Sequence, residues 1–337
     1  MLTIGLRYLK IVVVLMLDIM AFSSGARGIA FSQNAPSRFI PAVPTGKEND
    51  VKFYNQDGSV VMGKAAFEMM PSSKLILWLA GNQFFAMDEV IAAFMRKNPE
   101  TSVGLITLPP GLLLQAIQAG GWTYDGKEYL GGPDLYASVN LGHLKELKKS
   151  DLISSYMIYM HNELQIMVAK GNPKRIVGVE DLVRSDVRTS MPNPMNEGIM
   201  QFYARKVLER HGLWEQIAAG KECFSCNTTD TNWFTAVHHR ETPDRIKADQ
   251  SDAGIVWKTE ALEALRIGAN IDAVELPEQD NLRNEVSYVI GALNNSSHRH
   301  ASEAFLHFLR SSDGQDAYAG FGFVKATDAE LILKPIE

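Results

Sequence analysis

The chain has 337 residues, which exceeds one average domain, and its 46% hydrophobic and 21% charged residues are ordinary for a soluble globular protein. Its formal net charge of −6 lacks the basic excess that nucleic acid requires, so we expect no nucleic-acid partner. The negative charge does not exclude a small anionic ligand, because a binding cleft sets its own local potential.

The first 30 residues have the pattern of a signal peptide. Arg7 and Lys10 precede the apolar run IVVVLML, and small residues lead to a plausible cleavage after Ala26 or Ala30. The apolar run is shorter than the roughly 20 residues that span a bilayer. We predict that residues 1–30 are removed and that the protein is exported to the periplasm; a retained N-terminal anchor is the alternative.

Residues 31–73 are predicted to form an N-terminal extension. The stretch SQNAPSRFIPAVPTGKEND is rich in proline, serine and polar residues, which is typical of a tether. The alternating sequence VKFYNQDGSVVMG follows, and Asp57 and Gly58 at its centre predict a hairpin turn.

From Lys74 onward, apolar strand-like runs alternate with helical patterns. The predicted strands are KLILWLA, TSVGLITL, GPDLYAS, NELQIMVAKGNP, DVRTSMPNP, DAGIVW and EVSYVIGAL. The predicted helices are FFAMDEVIAAFMRKNP, PPGLLLQAIQAGG, NEGIMQFYARKVLERHG, a helix from Thr231 and HRHASEAFLHFLRSS, with DGQDAYAGFGF as the last element. The insertion WTYDGKEY predicts a small hairpin that turns at Asp125 and Gly126.

This alternation predicts an α/β fold with parallel or mixed sheets and helices on both faces. The series of strands and helices restarts after NELQIMVAKGNP, which predicts two lobes and a hinge that the chain crosses twice. We place the first lobe at residues 74–168 and 270–337, and the second lobe at residues 169–269.

Five collinear segments carry a resemblance to a known family. They are GPDLYASVNLGHLKEL, VAKGNPKRIVGVEDL, SMPNPMNEGIMQFYARKVLERHGLWE, DAGIVWKTEAL and ASEAFLHFLRSSDGQDAYAGFGF. Between Lys74 and Phe323 the chain resembles periplasmic solute-binding proteins, and among them the molybdate-binding branch and its sulfate-binding relatives. The resemblance implies a type II two-lobed fold that binds a small solute between its lobes and delivers it to the membrane permease of an ABC importer. For such a receptor we expect a monomer without enzymatic activity or cofactor.

Three loops that lead from a strand into a helix predict where an anion would be held. Ligands of open α/β sheets bind beyond the carboxyl ends of the strands, and helix N-termini attract anions. The loops AGNQ, TLPPG and PNPMNEG meet both conditions, although ordinary helix capping is the alternative for each. The candidate ligand-binding residues in these loops are Asn82, Gln83, Thr107, Gly111, Asn193 and Asn196.

The loops differ from the molybdate branch, in which the first two present serines to the oxyanion. Here the matching positions hold Asn82 and Gln83, and then Pro109 and Pro110, which have no N–H to donate. Trp257 replaces a tyrosine of the family and can donate from its indole but cannot accept. A small oxyanion remains the predicted ligand, and its identity does not follow from the resemblance.

The resemblance places the stretch TDTNWFTAVHHRETPDRI, which begins at Thr229, at the loop and helix of the second lobe that usually touch ligand, and its part HHRETPDRI has no counterpart in the family. We predict a helix that starts near Thr231 with Thr231 or Asp230 as its N-cap, and that Pro243 ends. The candidate ligand-binding residues of this region are Asp230, Thr231, Asn232, Trp233, Arg240 and Trp257. A solvated helix end is the alternative for the charged residues, and a place in the core is the alternative for Trp233.

The two cysteines of the chain, Cys223 and Cys226, are predicted to form a disulfide, because the exported chain would fold in an oxidising compartment. The alternative is a periplasmic redox or metal-binding protein that uses both cysteines with His238, His239 and Glu241. We predict no metal, since adjacent histidines on a helix do not face each other. Two further alternatives are a binding module that signals to a sensor protein and a receptor for an organic acid.

Overall fold

The computed structural model describes residues 40–43, 50–236 and 241–337, and the predicted signal peptide lies outside these ranges. The strands in chain order are β1 (Val51–Tyr54), β2 (Val60–Met62), β3 (Leu75–Ala80), β4 (Val103–Leu108), β5 (Gly121–Tyr124), β6 (Lys127–Leu130), β7 (Leu135–Ser138), β8 (Ser155–His161), β9 (Leu164–Ala169), β10 (Thr189–Met191), β11 (Cys226–Asn227), β12 (Asn232–Phe234), β13 (Ala253–Trp257), β14 (Ile271–Glu275), β15 (Ser287–Ala292), β16 (Val324–Lys325) and β17 (Lys334–Pro335).

The helices alternate with these strands. They are α1 (Lys64–Met69), α2 (Met87–Lys97), α3 (Pro110–Ala119), α4 (Leu141–Lys149), α5 (Arg205–Arg210), α6 (Trp214–Ala218), α7 (Glu241–Lys247), α8 (Lys258–Arg266), α9 (Glu278–Asn281), α10 (Arg299–Arg310) and α11 (Ser312–Ala319). A π-helical turn, Met200–Ala204, runs directly into α5. Within the described ranges, no helix has both the length and the apolar character needed to cross a membrane.

The larger sheet has the strand order β2-β1-β4-β3-β7-β15-β8-β16, and β17 pairs with β8. Its centre is parallel, since β3 pairs in parallel with both β4 and β7, whereas β15 runs antiparallel to β7 and β8. Alternate residues of β3 enter different cores: Leu77 and Leu79 join one cluster, and Trp78 joins the other. The continuous apolar run of this strand therefore reflects burial on both faces.

The smaller sheet has the order β11-β12-β10-β13-β9-β14, and β10 pairs in parallel with β12 and β13. The predicted mixed α/β architecture, with two main sheets and flanking helices, is confirmed. Each sheet brings the carboxyl ends of several parallel strands together at one edge, which is where ligands of such sheets bind.

The chain passes from the larger to the smaller sheet between β8 and β9, at residues 162–163, and returns between β14 and β15, at residues 276–286. The predicted boundaries at 168 and 270 put β9 and β14 in the first lobe. Both strands instead pair within the smaller sheet, where β9 is antiparallel to β13 and β14. Strand pairing decides this assignment, and an apolar run does not show which partner it will have.

Both predicted hairpins are present. The first turns at Asp57 and Gly58 between β1 and β2, and the second turns between β5 and β6, where Asp125 and Gly126 have φ of 50° and 72°. Asp-Gly is suited to this left-handed turn. The first hairpin is not a separate extension, because β1 also pairs with β4 and so belongs to the larger sheet.

The prediction of a helix from Thr231 is wrong. Asn232–Phe234 form strand β12 instead, because the Thr229 hydroxyl accepts a hydrogen bond from the Asn232 N–H at 2.8 Å and turns the chain into the sheet. The helix of this region, α7, begins at Glu241. Pro243 lies in its first turn, where a missing N–H costs nothing, so Pro243 does not end a helix.

The predicted disulfide between Cys223 and Cys226 is formed. Cys226 begins β11, which pairs antiparallel with β12 at the edge of the smaller sheet. The bond therefore fastens a short edge strand.

Candidate functional site

Strands from both sheets end around one small cavity. It has a volume of about 10 Å³, close to the smallest space that admits a water molecule. The residues that line it are Gly81, Asn82, Pro109, Pro110, Val139, Glu197, Gly198, Ile199 and Trp257. They follow or end β3, β4 and β7 of the larger sheet and β10 and β13 of the smaller sheet.

Asn82 is the polar side chain that the larger sheet brings to the cavity. It lies in the short helical turn after β3, is 2% exposed, and donates from Nδ2 to the hydroxyl of Tyr288. Asn162, at the first crossing between the sheets, donates to the same hydroxyl at 3.1 Å and to Thr259 at 2.9 Å. Burial raises the pKa of Tyr288 well above its ordinary value, so Tyr288 keeps its proton. A hydrogen-bonded chain thus connects the end of β3 to the start of α8.

Two other candidates from the loops of the larger sheet, Gln83 and Thr107, are not among the residues that line the cavity. Gln83 accepts at Oε1 from the hydroxyls of Tyr159 and Tyr318 at 2.9 and 3.0 Å, and its Nε2 has no hydrogen-bond partner among the described residues. Thr107 donates to the carbonyl of Asp50 at 3.3 Å. Both side chains support the larger sheet.

On the smaller sheet, the loop after β10 brings Glu197 to the cavity. Glu197 is 1% exposed, and its Oε1 accepts from the backbone N–H and Nδ2 of Asn193 at 3.0 and 3.2 Å and from the Thr235 hydroxyl. The Oδ1 of Asn193 accepts from the N–H groups of Met195 and Asn196, each at 3.1 Å. Asn193 therefore shapes the loop and orients Glu197, and it does not line the cavity itself.

The two sides of the cavity touch closely at glycines. A Cβ on Gly198 would lie 2.6 Å from Cγ2 of Val139, and a Cβ on Gly111 would lie 3.1 Å from the carbonyl oxygen of Asn196. Tyr203 adds a polar contact, donating to the carbonyl of Val139 at 2.5 Å. Glycine is therefore what allows helix α3 and the loop after β10 to approach each other.

Asn140 and His143 complete this contact on the side of α4. Asn140 caps the helix by accepting from Gly142 at 2.8 Å and donates to Tyr203 at 3.3 Å. The ring of His143 packs edge-on against Phe202 at 5.0 Å, and burial lowers the pKa of His143 to about 4. His143 is therefore neutral near pH 7 and brings no positive charge to the cavity.

Trp257 ends β13 and forms an aromatic wall of the cavity. It is 1% exposed, and its ring lies 5.6 Å from that of Tyr203 and 6.1 Å from that of Tyr288. Among the described residues, the cavity lining includes no lysine, arginine or histidine, and Glu197 is its one acid.

The other candidates from the stretch after Thr229 lie away from the described cavity. Asp230 is exposed, and Asn232 is buried in hydrogen bonds to Thr189 and Thr228 at 2.7 Å each. The ring of Trp233 stacks under the guanidinium of Arg245 at 4.5 Å. Thr231 pairs through its carbonyl with Thr189 at 2.8 Å. Arg240, His238 and His239 lie outside the described residues, so their roles remain predictions.

No group of three or more histidine, cysteine or acidic side chains in the described ranges is placed to hold a metal ion. The metal alternative also needs free thiolates, and Cys223 and Cys226 are bonded to each other. Glu241 accepts from the N–H of Ala236 at 3.1 Å through both carboxylate oxygens.

Comparison with known proteins assigns the family. The sequence model for bacterial extracellular solute-binding proteins matches residues 75–324, and the chain belongs to this family. Its members bind solutes and are not enzymes, which confirms the prediction that the chain is not an enzyme. The fold is that of a type II periplasmic binding protein of the molybdate and sulfate branch.

Individual relatives are distant. The sulfate-binding protein of Synechococcus elongatus is 27% identical over 169 residues, 49% of this chain and 47% of that protein. The periplasmic molybdate-binding protein of Azotobacter vinelandii superposes with a TM-score of 0.57 at 14% identity, over 75% of this chain and 100% of that one. An ABC transporter substrate-binding protein of Agrobacterium tumefaciens has a TM-score of 0.56 at 12% identity, over 73% and 77%. The chain spans about half the length of the curated relatives it matches.

Sequence reasoning found the loops and missed several of the residues that reach the cavity. Glu197 and Gly198 lie in the predicted loop PNPMNEG but are not among its candidate residues, which are Asn193 and Asn196. The loop that contains Val139 was not among the predicted binding loops. The pattern that could have predicted it is the strand GPDLYAS, which is followed by the helix-capping residue Asn140.

Proposed function

We propose that the protein captures a small oxyanion in a cleft between two lobes, each built on one of the two sheets, and presents it to the permease of an ABC importer. The observation that supports this most is the cavity at which strands of both sheets end. Family membership and the sulfate- and molybdate-binding relatives agree with it.

The cavity of about 10 Å³ is smaller than a tetrahedral oxyanion, so binding requires the lobes to separate. The two crossings, at residues 162–163 and 276–286, are the places where a hinge would act. In this interpretation the contact of Gly198 with Val139 belongs to the closed form, and ligand would enter an open form.

Glu197 sets a condition on the ligand. A carboxylate accepts hydrogen bonds and donates none, and it repels a fully deprotonated anion at close range. An oxyanion that keeps a hydrogen, such as hydrogen phosphate, can donate to this carboxylate, whereas sulfate and molybdate at neutral pH have no hydrogen to donate.

The remaining contacts would come from neutral donors. The Asn82 side chain, the N–H groups at the start of the helix after Glu197 and the indole of Trp257 lie around the same point. Hydrogen bonds to an ionised ligand are stronger than neutral ones, so a few donors in a dry cleft suffice for binding.

Export to the periplasm, removal of residues 1–30 and a monomeric state complete the proposal. The extracellular character of the family and the basic and apolar pattern of the N-terminus support export. Arg240 is retained as a residue that closes over the bound anion.

A thermal-shift screen with phosphate, arsenate, sulfate, molybdate, tungstate and small carboxylates tests the proposal. An anion at 100 times its dissociation constant adds about 2.7 kcal/mol to the free energy of unfolding. We expect phosphate or arsenate to give the largest shift, and a screen in which no anion shifts the transition would contradict the proposal.

The variant Glu197→Gln sharpens this test, because the amide has nearly the same shape and can donate. We expect it to weaken phosphate binding and strengthen sulfate binding, each by about tenfold, which corresponds to about 1.4 kcal/mol. Asp230→Asn is the control, since Asp230 is an exposed acid away from the cavity and its removal leaves the preference unchanged.

A further inference from the structure

Asn162 is a buried polar residue at the point where the chain first crosses between the two sheets. Asn162 and Glu163 are the two residues that connect β8 of the larger sheet to β9 of the smaller sheet. Asn162 is 1% exposed, although asparagine is mostly found on protein surfaces. A buried amide is tolerated where its hydrogen bonds are satisfied, so the partners of Asn162 show what its side chain does.

The neighbouring groups fix the orientation of the Asn162 amide. The backbone N–H of Glu163 can only donate, and it donates to Oδ1 of Asn162 at 2.9 Å. The amino nitrogen, Nδ2, therefore faces the other way and has two hydrogens to donate. It donates to the hydroxyl of Thr259 at 2.9 Å and to the hydroxyl of Tyr288 at 3.1 Å. Both amide hydrogens are thus used.

The two hydroxyls belong to different sheets and their helices. Tyr288 lies in β15, which pairs with β7 and β8 of the larger sheet. Thr259 lies in the first turn of α8, and Ala261 and Ala264 of this helix pack in one cluster with residues of the smaller sheet. The amide of Asn162 therefore joins the two proposed lobes, directly beside the chain that connects them.

This junction continues to the cavity at the strand ends. The hydroxyl of Tyr288 also accepts from Nδ2 of Asn82, and the ring of Tyr288 lies 6.1 Å from that of Trp257. Asn82 lines the cavity from the larger sheet, and Trp257 lines it from the smaller sheet. The position of Tyr288 relative to α8 therefore affects both walls of the cavity.

On the basis of the two-lobed binding function proposed above, on which this assignment rests, we propose that Asn162 is a positioning residue that stabilises the closed form of the anion cleft. When the lobes separate, Thr259 moves with the smaller sheet and Tyr288 moves with the larger sheet. Asn162 then stays bonded to only one of the two hydroxyls. One net hydrogen bond changes an equilibrium constant about three- to tenfold, which is the expected bias toward the closed form.

The variant Thr259→Val tests this role in the full mature chain, because valine nearly keeps the shape of threonine and has no hydroxyl. Cysteines that replace the exposed Lys145 in α4 and Gln216 in α6 carry one spin label on each lobe, and the two native cysteines are bonded to each other. Pulsed electron spin resonance then gives the ratio of closed to open forms. Without anion, we expect Thr259→Val to lower this ratio about three- to tenfold.

The dissociation rate of inorganic phosphate is the second measurement, followed by stopped-flow tryptophan fluorescence. Release of a bound anion requires the lobes to open, whatever their ratio of forms without anion. We therefore expect Thr259→Val to raise the dissociation rate about three- to tenfold. A purely structural role of the hydrogen bond would lower the free energy of unfolding and leave this rate unchanged.

Thr242→Val is the matched control. Thr242 and Thr259 are both 0% exposed, but the Thr242 hydroxyl donates to Ser190 of β10 at 3.4 Å and so stays within one proposed lobe. Thr259→Ser retains the hydroxyl and is expected to restore both measurements. Asn162→Leu removes the other partner of the same bond and replaces Thr259→Val should that variant fail to fold. Adding Thr259→Val to Asn162→Leu is expected to have no further effect.

Three results overturn the proposal. One is that Thr259→Val leaves the ratio of forms and the dissociation rate within twofold of the original. Another is that Thr242→Val has the same effect as Thr259→Val, and the third is that the effects of Asn162→Leu and Thr259→Val multiply in the double variant. If no anion of the screen binds, an unchanged distance distribution in Thr259→Val overturns the proposal by itself. Failure of the anion screen and failure of this proposal are therefore distinguishable.

Discussion

Two polar segments of the smaller sheet, residues 192–197 and residues 229–234, look alike in sequence and differ in what they do. Both are rich in asparagine or threonine, and both were predicted to hold ligand. The first follows the carboxyl end of β10 and brings Glu197 to the cavity. The second leads into the beginning of β12, which runs parallel to β10. The residues before β12 therefore lie at the edge of the sheet opposite to the carboxyl end of β10.

The difference teaches that polar composition does not distinguish a loop that reaches the cavity from a loop that only supports the sheet. Asn193 and Asn232 are both fully buried or nearly so, at 0% and 2% exposure, and both are hydrogen-bonded within the protein. Asn193 orients a residue that reaches the cavity, whereas Asn232 joins β12 to its neighbours. Position relative to the carboxyl end of a parallel strand decides which role is possible.

The largest expected effect on anion binding comes from Gly198→Val. The new side chain would meet Val139, since even a Cβ would lie 2.6 Å from Cγ2 of that residue, and the lobes could not close. Overpacking costs about 1–3 kcal/mol, so affinity for the best anion of the screen falls by up to about a hundredfold in isothermal titration. Gly132→Val is the control, because a Cβ there meets nothing within 4 Å. Unchanged affinity in the Gly198→Val variant would mean that Gly198 and Val139 are not in contact in the closed form.

A smaller effect is expected from Trp257→Phe, which trims the aromatic wall and removes the indole donor. We expect about a tenfold loss of affinity, or about 1.4 kcal/mol, in the same titration. Trp233→Phe is the matched control in residues 229–234 and leaves affinity unchanged. Equal losses in the two variants would contradict the assignment of residues 229–234 to a structural role.

Asn232→Ala is expected to affect stability and leave anion binding within twofold of the original. Removal of the Asn232 amide leaves the buried hydroxyl of Thr189 without its hydrogen-bond acceptor. The free energy of unfolding is therefore expected to fall by about 1–3 kcal/mol in urea titrations. A loss of affinity without a loss of stability would mean that Asn232 acts on the ligand, as the sequence had suggested.

The smallest effect on binding is expected from replacing Cys223 and Cys226 together by serine. The disulfide closes a short loop at the edge strand β11, so its loss lowers the free energy of unfolding by about 2 kcal/mol and leaves anion affinity unchanged. Stoichiometric metal in the original protein, lost in this variant, would instead favour the metal-binding alternative.

Local pattern was sufficient for much of the fold and for the loops of the site. Apolar runs such as LILWLA predicted buried strands and Asp-Gly pairs predicted both hairpins, and the predicted strand-to-helix loops at residues 80–83, 107–111 and 192–198 each contain residues that line the cavity. These features depend on neighbouring residues, so a sequence read in short windows contains them.

Tertiary structure alone decided which residues of those loops reach the cavity and which strands share a sheet. Asn82 and Glu197 are 115 positions apart in the sequence and follow strands of different sheets, and only the contact between the ends of the two sheets brings their loops together. Trp78 and Trp122 also meet only in the tertiary structure, between the larger sheet and the hairpin β5–β6. The sequence placed β9 and β14 in the wrong lobe and predicted a helix at β12. Strands form hydrogen bonds with partners that are distant in the sequence, so the residues of one segment do not show where it pairs.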